Sequence, residues 1–205
     1  MCPRRERPGM SEGDSPHVVG VPGSLRDRSV TRTSVRVALE AARRVGASAS
    51  LLDLRAHDLP VYDADESDAG DAPAVRETVR TANSLVLGTP MYHGSYATPL
   101  KNLLDYCGFD EFENTTVGLL AVSGGAFPIT ALDHLRSVCR SLNAWVLPHQ
   151  AAVPRASTAV EDGAFVDDDL RERVETLGHR TVQYASIEPD TACFESLENV
   201  GAGGQ

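Results

Sequence analysis

The sequence predicts one α/β domain built on a parallel sheet with helices on both faces. Five short apolar runs have the near-continuous hydrophobic character of strands that are buried on both sides. Helical patterns alternate with them along a chain of 205 residues, a length that suits one domain with a substantial core. Sheets of this kind bind ligands at the carboxyl ends of their strands, so we look for function in the segments that follow the strands.

Each predicted strand coincides with one apolar run, and a predicted helix follows each strand. The apolar runs HVVGV, ASLLDL, SLVLGT, TVGLLAV and AWVLP predict strands at 17–21, 49–54, 84–89, 116–122 and 144–148. Helices are predicted at 30–45, 71–82, 97–107, 128–141 and 167–186, the first with Val35, Ala38, Leu39 and Ala42 at helical spacing. Polar, Pro- and Gly-containing ends predict a disordered tail at 1–16 and a flexible tail at 188–205, with the folded domain at 17–187.

Charge and composition exclude several classes of partner. The chain carries 29 acidic against 19 basic residues, a net charge of −10, which disfavours nucleic acid and anionic membrane as partners. No apolar run is long enough to span a bilayer and the N-terminus lacks a signal-peptide core, so we expect a cytoplasmic protein. Lys101 is the only lysine, and together with the acid excess this resembles proteins of halophilic archaea. A GC-rich genome that favours Arg codons is the alternative.

The four cysteines show no spacing typical of a disulfide framework or a metal site. Cys107 and Cys139 lie in apolar helical contexts, and we predict that both are buried thiols. Cys2 and Cys193 lie near the chain ends. The histidines show no ligand spacing either, so no metal is expected.

The segment GSLRDRSVT, residues 23–31, has the composition of a phosphate-binding turn between the first strand and the first helix. A helix N-terminus offers unpaired N–H groups and partial positive charge to an anion. Hydroxyls at Ser24, Ser29 and Thr31 and the guanidinium of Arg26 add hydrogen bonds and charge. The motifs GxxxxGK[ST] and GxGxxG are absent, which disfavours nucleoside triphosphates and a dinucleotide fold. The alternative is that Ser29 or Thr31 only caps the helix and Arg26 is a solvated charge.

Three motifs in order resemble the NAD(P)H-dependent FMN reductase family of flavodoxin-like proteins, which includes quinone, chromate and azo reductases. They are GSLRDRS at 23–29, TPMYHGSYATPLKNLLD at 89–105 and SGG at 123–125, with a weaker likeness in DLRAHDLPVYDAD at 53–65. The resemblance covers about 17–185. It implies a flavodoxin-like three-layer α/β/α sandwich with a five-stranded parallel sheet of order 2-1-3-4-5.

The resemblance also implies a site for FMN. The phosphate contacts would come from Ser24, Arg26, Ser29 and Thr31. The second motif would run along the isoalloxazine ring, and the third would pass under its other side. The residues of the second motif that would contact the ring are Pro90, Met91, Tyr92, His93 and Ser95. Those of the third motif are Ser123, Gly124 and Gly125.

The implied reaction is hydride transfer from NADPH or NADH to FMN, and on to a quinone, another small acceptor or free flavin. No catalytic acid or base is needed, because the hydride chemistry belongs to the cofactor. The resemblance further implies a homodimer or homotetramer. Some members have Glu at the position of Met91, so whether FMN is a tight cofactor or an exchanging substrate stays open.

Two other functions remain open at this point. One is a flavodoxin-type FMN electron carrier without NAD(P)H turnover, and the other is an inactive flavin-binding sensor or scaffold. Lys101 and Asp105 are four residues apart on one helical face and predict a local ion pair. Because Lys101 falls inside the LKNxxD motif, whose helix resembles the family's dimer-forming surface, we also predict that it serves assembly.

Overall fold

The structure, a computed structural model, describes residues 15–185 and 187. The predicted tails at 1–16 and 188–205, with Cys2 and Cys193, therefore fall almost wholly outside the described residues. The strands of the described part are β1 (His17–Pro22), β2 (Ser48–Leu51), β3 (Ser84–Tyr92), β4 (Ser95–Tyr96), β5 (Thr116–Val122), β6 (Trp145–Val153), β7 (Val160–Glu161) and β8 (Ala164–Phe165). The helices are α1 (Val30–Arg44), α2 (Ala72–Arg80), α3 (Thr98–Tyr106), α4 (Phe109–Phe112), α5 (Ile129–Ser141), α6 (Ala156–Ala159) and α7 (Asp168–Gln183).

Five parallel strands form the central sheet in the order β2-β1-β3-β5-β6. When the five long strands are counted along the chain, this is the predicted order 2-1-3-4-5, so the fold prediction is confirmed. The short strand β4 pairs antiparallel with the end of β3, and β7 and β8 form a separate hairpin.

The core has two halves, one on each face of the sheet. On one face α2, α3 and α5 bury side chains such as Val75, Leu103 and Leu135. On the other face α1 and α7 bury Leu39 and Leu177 among others. The structure is therefore the three-layer sandwich that alternating strands and helices predict.

The two helices on the second face approach each other unusually closely. A Cβ placed on Gly178 of α7 would lie 2.0 Å from the backbone oxygen of Ala38 in α1. Only glycine allows the two backbones to come this near. Gly178 is therefore explained by helix packing.

The predicted boundaries are wrong at three places that concern function. The last strand of the central sheet runs to Val153 and not to 148, because it pairs with β5 again beyond a register shift, although Pro148, His149 and Gln150 interrupt its apolar pattern. The second strand ends at Leu51 and not at 54, because Asp53 caps a 3₁₀ turn at Leu54–Ala56 by accepting a hydrogen bond from the N–H of Arg55. The third strand continues past 89 to Tyr92 and turns back as a hairpin into β4. The elements α4, α6, β7 and β8 were not predicted, since each has no more than four residues.

The structure also bears on the two cysteines predicted to be buried and on membrane-spanning helices. Cys107 and Cys139 are buried free thiols, as predicted. Burial raises the pKa of Cys107 far above its usual range and that of Cys139 to about 12. In the described part of the chain, none of the helices is long and apolar enough to cross a bilayer.

Candidate FMN and anion site

The register of the sheet brings the predicted segments to one edge. Pro22, the last residue of β1, pairs with Gly88 of β3. Further along the same edge Pro90 pairs with Val122 of β5, which in turn pairs with Val153 of β6. The segments that follow these strands therefore lie side by side at the carboxyl edge, where open α/β sheets bind ligands.

The turn between β1 and α1 presents a continuous run of unpartnered backbone N–H groups. The N–H of Gly23 donates to the carbonyl of Gly88 at 2.7 Å, and the next backbone donor along the chain is Arg32. No N–H from Ser24 to Thr31 donates a hydrogen bond to any residue that the structure describes. Consecutive free N–H groups at a helix N-terminus form a concave site for an anion.

The hydroxyls of this turn divide into one that caps the helix and two without partners. Ser29 is the N-cap of α1 and accepts from the N–H of Arg32 at 3.1 Å, which leaves its own proton free to donate. The residues Ser24 and Thr31 are 4% and 2% exposed, and their hydroxyls have no hydrogen-bond partner in the described part of the chain. Because neither oxygen is fully buried, both hydroxyls remain accessible to a ligand.

The charged side chains of the turn are also divided. Asp27 pairs with Arg55, and Arg32 pairs with Asp53. In contrast, the exposed side chain of Arg26 makes no hydrogen bond or ion pair within residues 15–185. Arg26 can therefore neutralise an incoming anion without breaking an existing contact.

Arg32 is a residue of this site that the sequence did not single out. Its Nε lies 2.8 Å from Oδ2 of Asp53, and its Nη1 donates to the backbone oxygen of Asp27 at 3.1 Å. The side chain is only 11% exposed. No motif marks it, because its partner lies in the segment that follows β2, and the spacing along the chain does not indicate the contact.

The missing side chain of Gly23 has a packing explanation. A Cβ there would lie 2.6 Å from the Cβ of Leu100 in α3. The glycine of the GSLR motif thus allows α3 to approach the end of β1. Close approach of a ligand is not needed to explain it.

The second motif is a β-hairpin, although the sequence suggested a loop. Tyr92 pairs with Ser95, and the connecting residues His93 and Gly94 have φ angles of 51° and 81°. Such a pair of positive φ angles is typical of a tight hairpin turn, and His and Gly both accept it. The N–H groups of His93 and Gly94 donate no hydrogen bond within the described part of the chain, so they remain available at the tip.

The base of this hairpin is fixed by Thr89 and its flank by α5. The hydroxyl of Thr89 accepts from the N–H of Ala97 and donates to the backbone oxygen of Pro90, each at 2.9 Å. On the flank, the hydroxyl of Ser95 lies 3.0 Å from Nδ1 of His134. Ser95 is thus engaged with α5, a contact that the sequence did not predict.

The third motif leaves open space where two side chains are missing. A Cβ placed on Gly124 or Gly125 would meet no atom within 4 Å, and neither residue has a positive φ. Neither packing nor backbone conformation within the chain therefore requires glycine here. The hydroxyl of Ser123 is turned into the loop, where it donates to the oxygen of Gly125 at 2.7 Å.

Two exposed aromatic residues belong to the segments that follow β3 and β5, next to the glycines in the chain or across the sheet edge. Tyr92 is 52% exposed at the hairpin, and Phe127, which the sequence analysis did not single out, is 81% exposed just after the glycines. Large exposed aromatic surface next to backbone without side chains is suited to a flat ring. Among the described residues, no group of His, Cys, Asp or Glu is arranged to hold a metal ion.

Arg155 follows β6, and the backbone at Arg155 and Ala156 is hydrogen-bonded to the third motif. Its backbone N–H donates to the oxygen of Gly125 at 2.9 Å, and the N–H of Ala156 donates to the oxygen of Ser123 at 2.9 Å. Arg155 has a φ of 48°, in the left-handed region, which costs a non-glycine residue about 1 to 3 kcal/mol. The strained residue thus lies next to residues 123–125, the glycine loop.

The motif residue Asn102 has a structural role beside the site. Its Nδ2 donates to the backbone oxygen of Pro60 at 2.7 Å, and its Oδ1 accepts from the N–H of Tyr62 at 2.8 Å. These bonds attach the segment after β2 to α3. A shallow pocket of about 240 Å³ lies between this segment and α3. It is also lined by Leu25 of the turn between β1 and α1, residues 23–31, which we call the anion turn.

The strand order and the anion turn define a flavodoxin-like α/β protein. The structure resembles a flavodoxin, WrbA-like protein from Agrobacterium tumefaciens, with a TM-score of 0.57 and 17% identity over 83% of this chain and 98% of that one. It also resembles a flavoenzyme NAD(P)H:(acceptor) oxidoreductase from Paracoccus denitrificans, with a TM-score of 0.70 and 20% identity over 83% of this chain and 97% of that one. At these identities the likeness establishes the fold.

The sequence comparison identifies the family. Residues 16–158 match the family model of the NADPH-dependent FMN reductases, and the chain belongs to that family. It is 36% identical over 118 residues to an FMN-dependent NADPH-azoreductase of Staphylococcus aureus, an alignment that covers 56% of this chain and 63% of the relative. The chain thus spans less than two thirds of the length of the curated relatives it matches.

Proposed function

We propose that this protein is an NAD(P)H-dependent FMN oxidoreductase that passes hydride from NADPH or NADH to FMN, and on to a quinone, another small acceptor or free flavin. The observation that carries the proposal is the run of free N–H groups from Ser24 to Thr31 beside the open space at Gly124–Gly125. The first feature suits a phosphate monoester and the second a flat ring. Membership of the NADPH-dependent FMN reductase family and the likeness to the FMN-dependent NADPH-azoreductase of Staphylococcus aureus support the same cofactor and donor.

The residues present fit FMN. The free N–H groups and the hydroxyls of Ser24, Ser29 and Thr31 would hold its phosphate, with Arg26 supplying charge. The N–H groups of His93 and Gly94 would face the polar edge of the ring, near Pro90, Met91, Tyr92 and Ser95. Ser123 would shape the loop in which Gly124 and Gly125 allow the ring to approach.

FMN, when bound, supplies the hydride-accepting centre. The chain then has three tasks: to hold the ring still, to let one of its faces lie close to the backbone, and to leave the other face open for the nicotinamide. Gly124 and Gly125 would serve the second task, and Tyr92 and Phe127 supply exposed aromatic surface. Backbone N–H groups at the hairpin tip would stabilise negative charge on the polar edge of the ring.

The decisive experiment measures FMN binding to a variant that loses only the unpartnered hydroxyls. In S24A/T31V both unpartnered hydroxyls are removed, and no hydrogen bond among the described residues is broken. We expect calorimetric FMN affinity to fall about ten-fold or more, with unfolding midpoint unchanged or raised. The control is S137A, at an exposed position on α5. Absence of FMN binding by the wild-type protein would refute the site, and unchanged affinity in S24A/T31V would remove the two hydroxyls from it.

Turnover separates the reductase from the electron carrier. Purified protein is mixed with FMN, NADPH or NADH, and a quinone, an azo dye or excess flavin, and oxidation of the nicotinamide is followed by absorbance. We expect turnover with at least one acceptor. FMN binding without oxidation of either nucleotide would instead support a flavodoxin-type carrier.

We further propose that the protein acts as a homodimer or homotetramer in the cytoplasm, and that it comes from a halophilic archaeon. The acid excess and the single lysine support adaptation to salt. Val61, 84% exposed beside α3, supports assembly through that side of the molecule. Sedimentation velocity at low salt and in molar KCl tests the assembly and the adaptation to salt. We expect one discrete oligomer that persists or forms in high salt.

A further inference from the structure

The carboxyl edge of the sheet differs in charge from the rest of this acidic chain. The three segments that form it around the glycine loop, 84–104, 115–132 and 144–160, contain no Asp or Glu, although the chain has 29 acidic residues. The same segments contain Lys101 and Arg155. An anion that approaches these segments meets no carboxylate from their own side chains, although Asp105, Asp133 and Glu161 follow directly after them, and this lowers the repulsion expected from a protein of net charge −10.

Arg155 is the uncommitted charge within this edge. Lys101 is engaged with Asp105. The exposed side chain of Arg155 makes no hydrogen bond or ion pair in the described part of the chain, including with Glu161 and Asp162, the next acidic residues along the chain. Its guanidinium is therefore free to bind a ligand.

The backbone conformation of Arg155 is unusual for an arginine. Besides glycine, the described residues with positive φ are His93, Asn114, Asn143, Arg155 and Asp162. Asn, Asp and His are the residue types enriched in that region, and arginine is the exception. An Asn or Gly would fit the backbone better, so a strained arginine beside an open loop indicates a use for its side chain.

We propose that Arg155 binds a phosphate of the nicotinamide dinucleotide, and so helps to determine the affinity for the hydride donor. This inference rests on the proposed function, since it places the donor on the ring face that the loop of Gly124 and Gly125 does not cover. The backbone N–H of Arg155 donates to the oxygen of Gly125 at 2.9 Å, so the guanidinium starts from the rim of the ring site. A guanidinium is well suited to phosphate because it presents a planar fork of donors.

The test uses two variants of Arg155 and one matched control. R155Q removes the charge and keeps a long side chain and the strained backbone. R155N also removes the charge, but asparagine adopts a positive φ more readily, so this variant should fold even if R155Q does not. The control R140Q alters another exposed arginine without a described partner, at the far end of α5, where the helix has run back from the carboxyl edge. FMN-saturated protein is titrated with 2′,5′-ADP by calorimetry, and KM is measured separately for NADPH and NADH.

We expect R155Q and R155N to weaken 2′,5′-ADP binding and to raise the KM for NADPH about ten-fold, with FMN affinity unchanged and R140Q like wild type. A rise in KM for NADPH alone assigns the contact to the 2′-phosphate, and a rise for both nucleotides assigns it to the pyrophosphate. Unchanged 2′,5′-ADP affinity, or a parallel loss of FMN affinity, overturns the inference. If wild-type protein does not take up FMN, the proposed function fails, and 2′,5′-ADP titration of the apoprotein still decides the role of Arg155.

Discussion

Arg32 and Asp53 connect the anion turn to the neighbouring strand, with Nε of the arginine 2.8 Å from Oδ2 of the aspartate. Arg32 comes from the first turn of α1 and Asp53 from the exit of β2. The same guanidinium donates to the backbone oxygens of Asp27 and, at 3.5 Å, Ser24. Arg32 therefore fixes the path of the turn, while Arg26 stays free to meet a ligand.

This relationship predicts the effect of D53N. An Asn at 53 can still cap the 3₁₀ turn, but it no longer neutralises Arg32, whose side chain is 11% exposed. We expect the free energy of unfolding of the apoprotein to fall by about 1 to 2 kcal/mol, measured by urea denaturation. E40Q, which breaks the exposed pair with Arg43, should cost only a few tenths of a kcal/mol. Equal losses in the two variants would contradict this role for Asp53.

The glycine loop predicts a separation between binding and stability. In G125A the new methyl group meets no atom within 4 Å, so the free energy of unfolding should change by less than about 0.5 kcal/mol. FMN affinity should fall, because the methyl group enters the space assigned to the ring. G178A serves as the contrast: its Cβ would lie 2.0 Å from the oxygen of Ala38, and we expect a loss of about 3 kcal/mol or more. Normal FMN binding by G125A would remove the ring from this loop.

His17 predicts a loss of stability in mild acid. Its ring nitrogens lie 2.9 Å from the hydroxyls of Ser48 and Ser50, and partial burial lowers the pKa of His17 from its ordinary 6.5. Because the unfolded chain binds the proton more readily, the contribution of His17 is present above pH 6.5 and is lost as pH falls through the lowered native value. Urea denaturation across this range should show a steeper decline for wild type than for H17Q. Parallel declines would show that the imidazole does not contribute.

Lys101 predicts an effect of a conservative replacement on assembly. Its ammonium pairs with Asp105 on the same helix, and both side chains are more than a third exposed, so the local pair contributes only a few tenths of a kcal/mol. If Lys101 also serves the subunit interface, K101R changes the sedimentation coefficient or the thermal midpoint. D105N removes the local pair but keeps the ammonium, and it should leave assembly intact. If K101R matches wild type in both measurements, Lys101 serves only the local pair.

The sequence predicted the sheet well because buried parallel strands leave a local signal. The runs at 17–21 and 116–122 are apolar throughout, and β1 and β5 begin and end within one residue of them. The end of the second strand was wrong because Asp53, which the apolar run includes, caps a 3₁₀ turn. One capping carboxylate outweighed the apolar pattern.

The candidate site was predicted only as far as local motifs reach. Ser24, Arg26, Ser29 and Thr31 lie together in one turn, so their composition was informative. Arg32 pairs with Asp53, 21 residues away, and His134 contacts Ser95, 39 residues away. The backbone of Arg155 is hydrogen-bonded to Gly125, 30 residues away. No spacing rule along the chain connects such pairs. Such residues become visible only when the fold brings distant segments together.

The free N–H groups from Ser24 to Thr31 have an implication for evolution. Backbone donors persist when side chains are replaced, so drift in the letters of this turn leaves much of its attraction for anions intact. Descendants could therefore exchange one phosphorylated partner for another by altering the surrounding loops, while the course of the main chain here stays the same.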